Sequence, residues 1–161
     1  MTSEAPAQLR SGLGLLTVLR QILVSAAPEE GCALLLGERL DDGWRLRWIW
    51  PCCNVWPVPG ERCRRFAIDP REQLLAQKWG RVRGLEVLGA AHSHPRSPAV
   101  PSSTDRNLTL QPALMLILGR APEQNQDQLQ DQDQDQDQEL VAWWLPESPA
   151  QPQRLPWRME S

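Results

Sequence analysis

Residues 92–105 read HSHPRSPAVPSSTD, and His92 and His94 are the only two histidines in the 161-residue chain. The apolar run before them, residues 85–91, predicts a short buried strand that delivers both histidines at its end. Side chains two residues apart in a strand project to the same face, so both imidazoles can point at one metal ion. We expect Pro95 to end this strand, because proline has no N–H to donate to a neighbouring strand.

Ser102 and Asp105 form an S-x-x-D pattern, which is the spacing of a capping box at the start of a helix. The Asp105 carboxylate would then sit at a helix N-terminus and could face the end of the histidine strand. Two histidines and one aspartate supply the three ligands typical of a catalytic zinc site, which keeps a fourth position for water. A solvated H-x-H turn and a plain capping box are the alternatives, and the combined spacing favours the metal site.

Residues 28–37 read PEEGCALLLG. Together with H-S-H-P, six residues and S-x-x-D, they resemble the JAMM motif of the MPN-domain metalloproteases, and most closely the short prokaryotic members with the signature P-x-E-x-C-G-L-L-x-G. The resemblance covers residues 14–145 except 121–138, and Ala33 stands where the family usually has glycine. It implies an α+β fold, a single MPN (JAMM) domain whose central mixed β-sheet is flanked by helices in a layering like that of cytidine deaminases.

The same resemblance assigns a role to five side chains. It implies that His92, His94 and Asp105 bind Zn²⁺, that Glu30 is the catalytic base, and that Ser102 donates a hydrogen bond to the developing oxyanion. Chemistry supports Glu30 independently, since the water at a zinc hydrolase site needs a proton acceptor and glutamate is the usual choice.

The function implied is that of a zinc-dependent metallopeptidase or isopeptidase. Its substrate would be an amide bond at the C-terminus of a ubiquitin-like sulfur-carrier protein, whose Gly-Gly tail threads into a narrow groove. The alternative is a non-catalytic MPN scaffold module, although such modules typically lack motif residues that are all present here. A DNA-associated relative is disfavoured, because that branch shows Ser-Gly after the H-x-H-P motif and this chain has Arg96-Ser97.

Charge is unevenly distributed along the chain. The net charge is −3, but seven acidic and no basic side chains lie in residues 121–139, so the remainder carries +4. Residues 61–83 hold seven basic side chains against three acidic ones. This basic face could attract an acidic protein or nucleic acid, although a solvated surface is the commoner explanation. Without aromatic interleaving or a recognition helix, we expect no nucleic-acid partner.

The sequence contains no apolar stretch of 18 residues, so no membrane span is expected. Residues 12–27 faintly resemble a signal peptide, but Arg20 and Gln21 interrupt the apolar region. The four cysteines lack C-x-x-C spacing, and reduced thiols are the default in the cytosol. We therefore expect a cytoplasmic protein, and the sequence leaves its oligomeric state open.

The domain organisation follows from composition. We expect a flexible N-terminal tail at residues 1–11, the JAMM/MPN domain at 12–145 with a disordered Gln/Asp-rich insertion at 121–138, and a Pro-rich tail at 146–161. Asn54, in a Pro-rich loop beside the cleft, could hold a substrate main chain or be an ordinary loop residue.

Periodicity and capping signals predict the elements between the tails. A helix is expected over 13–27, and a helix begins after Asp69 with Glu72 completing its capping box. That helix would have an apolar stripe of Leu74, Leu75, Trp79 and Val82, and Gly84 could supply a left-handed cap. A third helix would run from Ser102 to about 110. Strands are expected at 32–37, at 44–50 with a buried tryptophan face, at 64–68, at 113–119 and at 140–145.

Overall fold

The computed structural model describes residues 4–122 and 137–161. Within this part of the chain lie eight strands and three α-helices. In chain order they are β1 (Leu9–Gly12), α1 (Leu13–Val24), β2 (Cys32–Leu40), β3 (Gly43–Cys52), α2 (Pro70–Arg81), β4 (Glu86–Pro98), α3 (Ser103–Leu108), β5 (Ala113–Arg120), β6 (Gln138–Leu145), β7 (Gln153–Leu155) and β8 (Trp157–Glu160). No helix in the described residues is long and apolar enough to cross a membrane.

All eight strands form one mixed sheet in the order β7-β6-β5-β4-β2-β3-β1-β8. The pairs β1–β3, β1–β8 and β4–β5 are parallel, and the remaining neighbours are antiparallel. A mixed sheet with few helices confirms the α+β class.

The sheet curls strongly around the main core. Four strand spacings separate β3 from β6, which would be about 19 Å in a flat sheet. Yet the ring centroids of Trp44 on β3 and Trp144 on β6 lie 5.6 Å apart, edge to face. Helix α1 fills the concave side and buries Leu16, Leu19 and Leu23 against the strands.

Helix α2 covers the opposite face, over β2 and β4. Its cap is the predicted one, because the Asp69 side chain accepts a hydrogen bond from the Arg71 N–H (2.9 Å) and Pro70 begins the helix. Glu72 does not complete a capping box; its carboxylate instead accepts a hydrogen bond from the indole N–H of Trp50 (2.8 Å). Gly84 adopts the predicted left-handed conformation, with φ of +70°.

The predicted apolar stripe of α2 packs against the sheet only at Trp79, which is half-buried, and the expectation is wrong at its other three positions. Leu74, Leu75 and Val82 are 65%, 53% and 78% exposed, whereas Ala76 and Gly80 face the sheet. The physical reason is close approach: small residues let the helix backbone lie near the strands, so the large apolar residues are displaced to its outer side.

The predicted tryptophan face of β3 is wrong at Trp48. Trp48 pairs with Leu36 and Leu46 pairs with Gly37, so Arg47 is an extra residue in β3. Such a bulge reverses the alternation of side chains. Trp44 therefore faces the main core, whereas Trp48 and Trp50 face α2 and lie against Trp79, with centroid distances of 5.1 and 5.9 Å.

The expectation of a flexible N-terminal tail is wrong at residues 9–11, which lie in β1, and the Pro-rich C-terminal tail contains β7 and β8. Strand β1 pairs with β3, and β8 pairs with β1, which brings the two ends of the domain together. The sequence pattern that would predict these strands is weak, because each strand is short and its partner strands are distant in the chain. Most of the predicted Gln/Asp-rich insertion, residues 123–136, lies outside the described residues.

Several predicted boundaries also shift. Helix α1 ends at Val24 and α3 at Leu108, earlier than expected. The predicted strand at 64–68 is absent from the described structure of that segment. Strand β4 continues past Pro95 to Pro98, because its pairing with β5 is interrupted between Ser93 and Pro98 and no N–H is required of the proline.

Candidate metal centre

The ends of β2 and β4 bring Glu30 beside the two histidines. Cys32 on β2 pairs with His92 on β4. The register continues beyond β2, since the Ser93 N–H donates to the Gly31 carbonyl (3.0 Å) and the Gly31 N–H donates to Ser93 Oγ (2.8 Å). One step further, Glu30 lies opposite His94. Directly opposite residues of antiparallel strands project to the same face, so the Glu30 carboxylate and both imidazoles share one side of the sheet.

Three ligand atoms converge on that side. Nε2 of His92 and Nε2 of His94 are 3.0 Å apart, and each lies 3.2 Å from Oδ2 of Asp105. All three side chains are buried, with exposures of 0%, 4% and 6%. Ligands bound tetrahedrally at the usual zinc distances lie about 3.3 Å apart, which is close to the observed spacing.

The hydrogen bonding of His94 fixes which of its nitrogens is free. Its Nδ1 lies 2.8 Å from the Pro98 carbonyl, which can only accept, so Nδ1 carries the proton. When the His94 ring is neutral, its Nε2 therefore carries a lone pair and can only accept a hydrogen bond. The atom that it faces, Asp105 Oδ2, is an acceptor as well. Two acceptors at 3.2 Å need a cation or a proton between them. The donor set of His92, His94 and Asp105 therefore fits a metal ion.

The start of α3 holds Asp105 in place, and the predicted capping box is confirmed. The Asp105 N–H donates to Ser102 Oγ (3.0 Å), and the Ser102 N–H donates to Asp105 Oδ2 (2.9 Å). Burial raises the pKa of Asp105, but the two imidazoles beside its carboxylate and the hydrogen bond from the Ser102 N–H outweigh burial, so the net pKa lies well below the ordinary value. Asp105 is therefore an anion, as a metal ligand must be.

His92 lies deepest in the site. Phe66 stacks on its ring, with centroids 4.4 Å apart and planes at 20°. Burial lowers the pKa of His92, which favours the neutral, metal-binding form of the imidazole. For His94, burial also lowers the pKa, but hydrogen bonds with Asp105 and the Pro98 carbonyl more than compensate and leave it raised.

Glu30 is buried without a hydrogen-bond partner for its Oε2 in the described structure, and only 3% of it is exposed. Burial raises the pKa of Glu30 to about 7, although the charge of His94 opposes that rise. A carboxylate whose pKa is near neutrality can both accept and return a proton under ordinary conditions.

Asn54 anchors the loop that runs from β3 to α2. Its side-chain amide donates to the carbonyls of Glu30 (3.0 Å) and Arg65 (2.9 Å), and its Oδ1 accepts from the Trp56 N–H (3.1 Å). Main-chain groups of this loop occupy both ends of the side chain, which supports the reading of Asn54 as a loop residue and not a substrate contact.

Sequence reasoning missed Phe66, the Pro98 carbonyl and Ser93 Oγ. Phe66 is the only phenylalanine in the chain, and it lies three residues before Asp69, the cap of α2. That position could have drawn attention to Phe66. A backbone carbonyl and a serine that bonds to a backbone N–H leave no such signal in a single sequence.

A family model described as prokaryotic homologs of the JAB domain matches residues 13–146. A probable TtuB-protein conjugate cleaving protease from Thermus thermophilus is 37% identical over 92 residues, which are 57% of this chain and 57% of that protein. A desampylase from Pyrococcus furiosus is 33% identical over 108 residues, which are 65% of this chain and 71% of that protein. The chain thus spans little more than half the length of the Thermus protein.

A solved structure shows the same fold. The solution structure of a protein from Desulfitobacterium hafniense superposes with a TM-score of 0.73 at 27% identity, and the match covers 94% of each chain.

Proposed function

The chain belongs to the family of prokaryotic homologs of the JAB domain, and from that premise we propose that it is a zinc-dependent hydrolase of amide bonds. Its substrate is the bond that joins the C-terminus of a ubiquitin-like sulfur-carrier protein to an amine. The observation that carries the proposal is the convergence of His92 Nε2, His94 Nε2 and Asp105 Oδ2 within 3.0–3.2 Å, beside the buried Glu30 carboxylate.

The proposed metal ligands are His92, His94 and Asp105, and the proposed metal is zinc. Two imidazoles and one carboxylate are a ligand set that suits zinc, and their spacing suits tetrahedral coordination. When bound, zinc acidifies a water molecule and polarises the scissile carbonyl. The hydrogen bond from His94 Nδ1 to Pro98, and the one from the Ser102 N–H to Asp105, orient two of these ligands.

Glu30 is the proposed catalytic base. It accepts a proton from the attacking water and delivers it to the nitrogen of the departing amine, so its carboxylate ends the cycle as it began. The raised pKa of about 7 suits both transfers.

Ser102 is the proposed oxyanion donor. Its Oγ accepts from the Asp105 N–H, and its own hydroxyl proton stays free to donate to the carbonyl oxygen as negative charge develops there. Ser102 is exposed, so a substrate can reach it.

The substrate class rests on the relatives. The Thermus protein is named for cleaving protein conjugates and the Pyrococcus protein as a desampylase, and the motif resembles that of enzymes that act on ubiquitin-like carriers. The alternative, a non-catalytic scaffold, gives no reason for an unpartnered carboxylate to be buried beside a metal site. We place the reaction in the cytoplasm, which the four free cysteines support.

Incubation of the purified protein with carrier–lysine conjugates, followed by intact mass measurement, tests the proposal. We expect zinc-dependent release of the carrier with a free C-terminal carboxylate, loss of cleavage in a chelator and recovery on adding zinc. Glu30→Gln should retain stoichiometric zinc by elemental analysis and lose at least ~10²-fold in turnover. Zinc binding without cleavage of any conjugate would favour the scaffold.

His94→Ala and Asp105→Ala should both lower the zinc content well below one ion per chain. Elemental analysis after dialysis measures this directly, with Glu29→Gln as a control that removes a nearby carboxylate. Full zinc content in either variant would remove that residue from the ligand set.

A further inference from the structure

The three proposed metal ligands are held in position by different kinds of contact. His94 is oriented by the hydrogen bond between its Nδ1 and the Pro98 carbonyl (2.8 Å). Asp105 is oriented by the hydrogen bond from the Ser102 N–H to its Oδ2 (2.9 Å). His92 has no such bond, because its Nδ1 is buried and has no hydrogen-bond partner among the described residues. A metal-binding histidine usually donates from its second ring nitrogen to an acceptor that fixes the ring, so the orientation of His92 depends on packing instead.

One aromatic ring, that of Phe66, covers a face of the His92 imidazole. The ring centroids are 4.4 Å apart, and the two planes are inclined by only 20°. The His94 ring meets His92 at an edge, with centroids 4.9 Å apart and planes at 60°. Tilting the imidazole would push one of its edges into the phenyl ring and lift the other edge away from it. Stacking on Phe66 can therefore take the place of the missing hydrogen bond.

Phe66 is itself held in place, because Asn54 binds the backbone on both sides of it. The Asn54 amide donates to the Arg65 carbonyl (2.9 Å), and Oδ1 of Asn54 accepts from the Ala67 N–H (3.3 Å). The same amide donates to the Glu30 carbonyl (3.0 Å), so the segment that carries Phe66 is tied to the chain that bears the proposed base. A functional side chain is positioned accurately when the groups that support it are themselves locked by hydrogen bonds.

The orientation of His92 matters because rotation about its Cβ–Cγ bond moves Nε2 along an arc. Such a rotation would carry His92 Nε2 away from His94 Nε2 (3.0 Å) and Asp105 Oδ2 (3.2 Å). A ring that rotates freely must be ordered when an ion binds, and this loss of freedom weakens the binding. A ring already held by stacking has lost that freedom before the ion arrives.

We propose that Phe66 is a positioning residue of the metal centre, whose ring holds the His92 imidazole in the orientation that binds the ion. This inference rests on the proposed function, because it takes His92 as a metal ligand. Phe66 acts only through His92 in this role and need not touch the substrate. Its replacement should therefore change the affinity for the metal and the geometry of coordination, and not only the stability of the fold.

Replacement of the phenyl ring tests this role. Phe66→Leu keeps an apolar side chain but has no flat face, so we expect the Kd for zinc to rise about tenfold or more, as on loss of other ligand-orienting contacts. Competition with a chromophoric chelator measures this Kd. In the cobalt-loaded protein the visible d–d absorption bands should shift, because they report the geometry of the ligands around the ion. Phe66→Tyr, which keeps the ring, should restore both the Kd and the cobalt spectrum.

Ile68→Ala is the matched control in the same segment. Ile68 is half-buried, as Phe66 is, but it packs against the cluster of Leu34, Leu36 and Ala76. We expect this variant to lower the free energy of unfolding of the metal-free protein in urea. It should leave the Kd for zinc and the cobalt spectrum unchanged.

The zinc requirement of the proposed reaction gives a further measure. In buffers of fixed free zinc concentration, Phe66→Leu should need about tenfold or more zinc for half-maximal cleavage of the carrier–lysine conjugate. An unchanged Kd and cobalt spectrum in Phe66→Leu, or an equal loss of affinity in Ile68→Ala, would overturn the inference while the proposed function stands. Zinc binding without cleavage by the unsubstituted protein would remove the proposed function, and the affinities would still decide the inference. Failure of the unsubstituted protein to bind zinc would remove both.

Discussion

Glu30 combines near-complete burial with a carboxylate oxygen that has no hydrogen-bond partner in the described residues. A buried acid of this kind lowers the stability of the metal-free protein whenever it is ionised. Its pKa is about 7 in the folded protein, against 4.5 ordinarily, so between these pH values the folded protein binds a proton that the unfolded chain does not. Protonation of Glu30 therefore favours the folded protein. This contribution to stability is fully present below about pH 4.5 and is lost as the pH rises through about 7.

Glu30→Gln should therefore stabilise the metal-free protein at high pH only. We expect a gain of up to about 3 kcal/mol in the free energy of unfolding at about pH 8, and almost none at about pH 5. Urea unfolding in a chelator at both values measures it. Glu29→Gln is the control, and an equal gain in that variant would show that burial of Glu30 is not the cause.

Ser102 serves two purposes that different substitutions can separate. Glycine caps a helix almost as well as serine, so Ser102→Gly should cost only a few tenths of a kcal/mol in stability. Because glycine has no hydroxyl, turnover of the carrier–lysine conjugate should fall by ~10²–10³. Ser102→Thr keeps both groups and should retain much more activity.

The neighbouring Ser103→Ala is the control for Ser102, because Ser103 is exposed and begins the same helix. Steady-state rates and urea unfolding on all three variants provide the test. If Ser102→Gly keeps most of the activity, Ser102 is only a helix cap.

At the scale of elements, the contact between the end of α1 and the start of β2 holds Glu30 in position. A Cβ on Gly31 would meet the Leu23 carbonyl oxygen and lie 2.9 Å from Leu23 Cα, so backbone would have to move. We expect Gly31→Ala to cost about 1–3 kcal/mol in stability. It should also reduce turnover, because the adjacent Glu30 would be displaced.

Gly14→Ala is the matched change in α1, since the added Cβ would meet no described atom within 4 Å apart from its chain neighbours and the backbone of the helix itself. It should stabilise the protein by up to about 1 kcal/mol and leave turnover unchanged. Thermal unfolding and cleavage of the carrier–lysine conjugate measure the two effects. Unchanged stability and activity in Gly31→Ala would mean that this contact does not position the base.

Elements defined by local spacing were predictable from the sequence. The H-x-H spacing and the capping box bring His92, His94 and Asp105 together because both patterns act within 14 residues of chain. The same holds for the Asp69 cap and for Gly84, whose conformations depend on immediate neighbours.

Features that depend on how close two elements approach were not predictable. The stripe on α2 has the right period for a buried face, but Ala76 and Gly80 determine which side packs. The bulge at Arg47 reverses the exposure of Trp48, and nothing in the alternation of β3 marks it. Phe66 reaches His92 only through the irregular loop before α2.

At the scale of the whole molecule, the two ends of the domain complete one side of the sheet. Strand β8 pairs with β1 over four residues, and Leu9 of β1 is fully buried. The Glu160 carboxylate accepts hydrogen bonds from Arg10 (2.6 Å) and Arg45 (3.0 Å), which ties β8 to both β1 and β3. This arrangement lies several strands away from the metal centre.

Ending the chain after Pro156 should therefore separate stability from metal binding. Loss of β8 leaves the edge of β1 unpaired and uncovers part of the core beside Trp157, so we expect the free energy of unfolding to fall by about 2–4 kcal/mol. Glu160→Gln, which weakens only ion pairs at the surface, should lower the free energy of unfolding much less than the truncation does. Zinc content should stay at one ion per chain in the truncated protein and in Glu160→Gln, because the proposed ligands lie on β4 and α3 and β4 pairs with β2. Elemental analysis alongside urea unfolding decides the matter: loss of zinc from the folded truncated protein would mean that the curvature of the whole sheet, and not only its two central strands, shapes the metal centre.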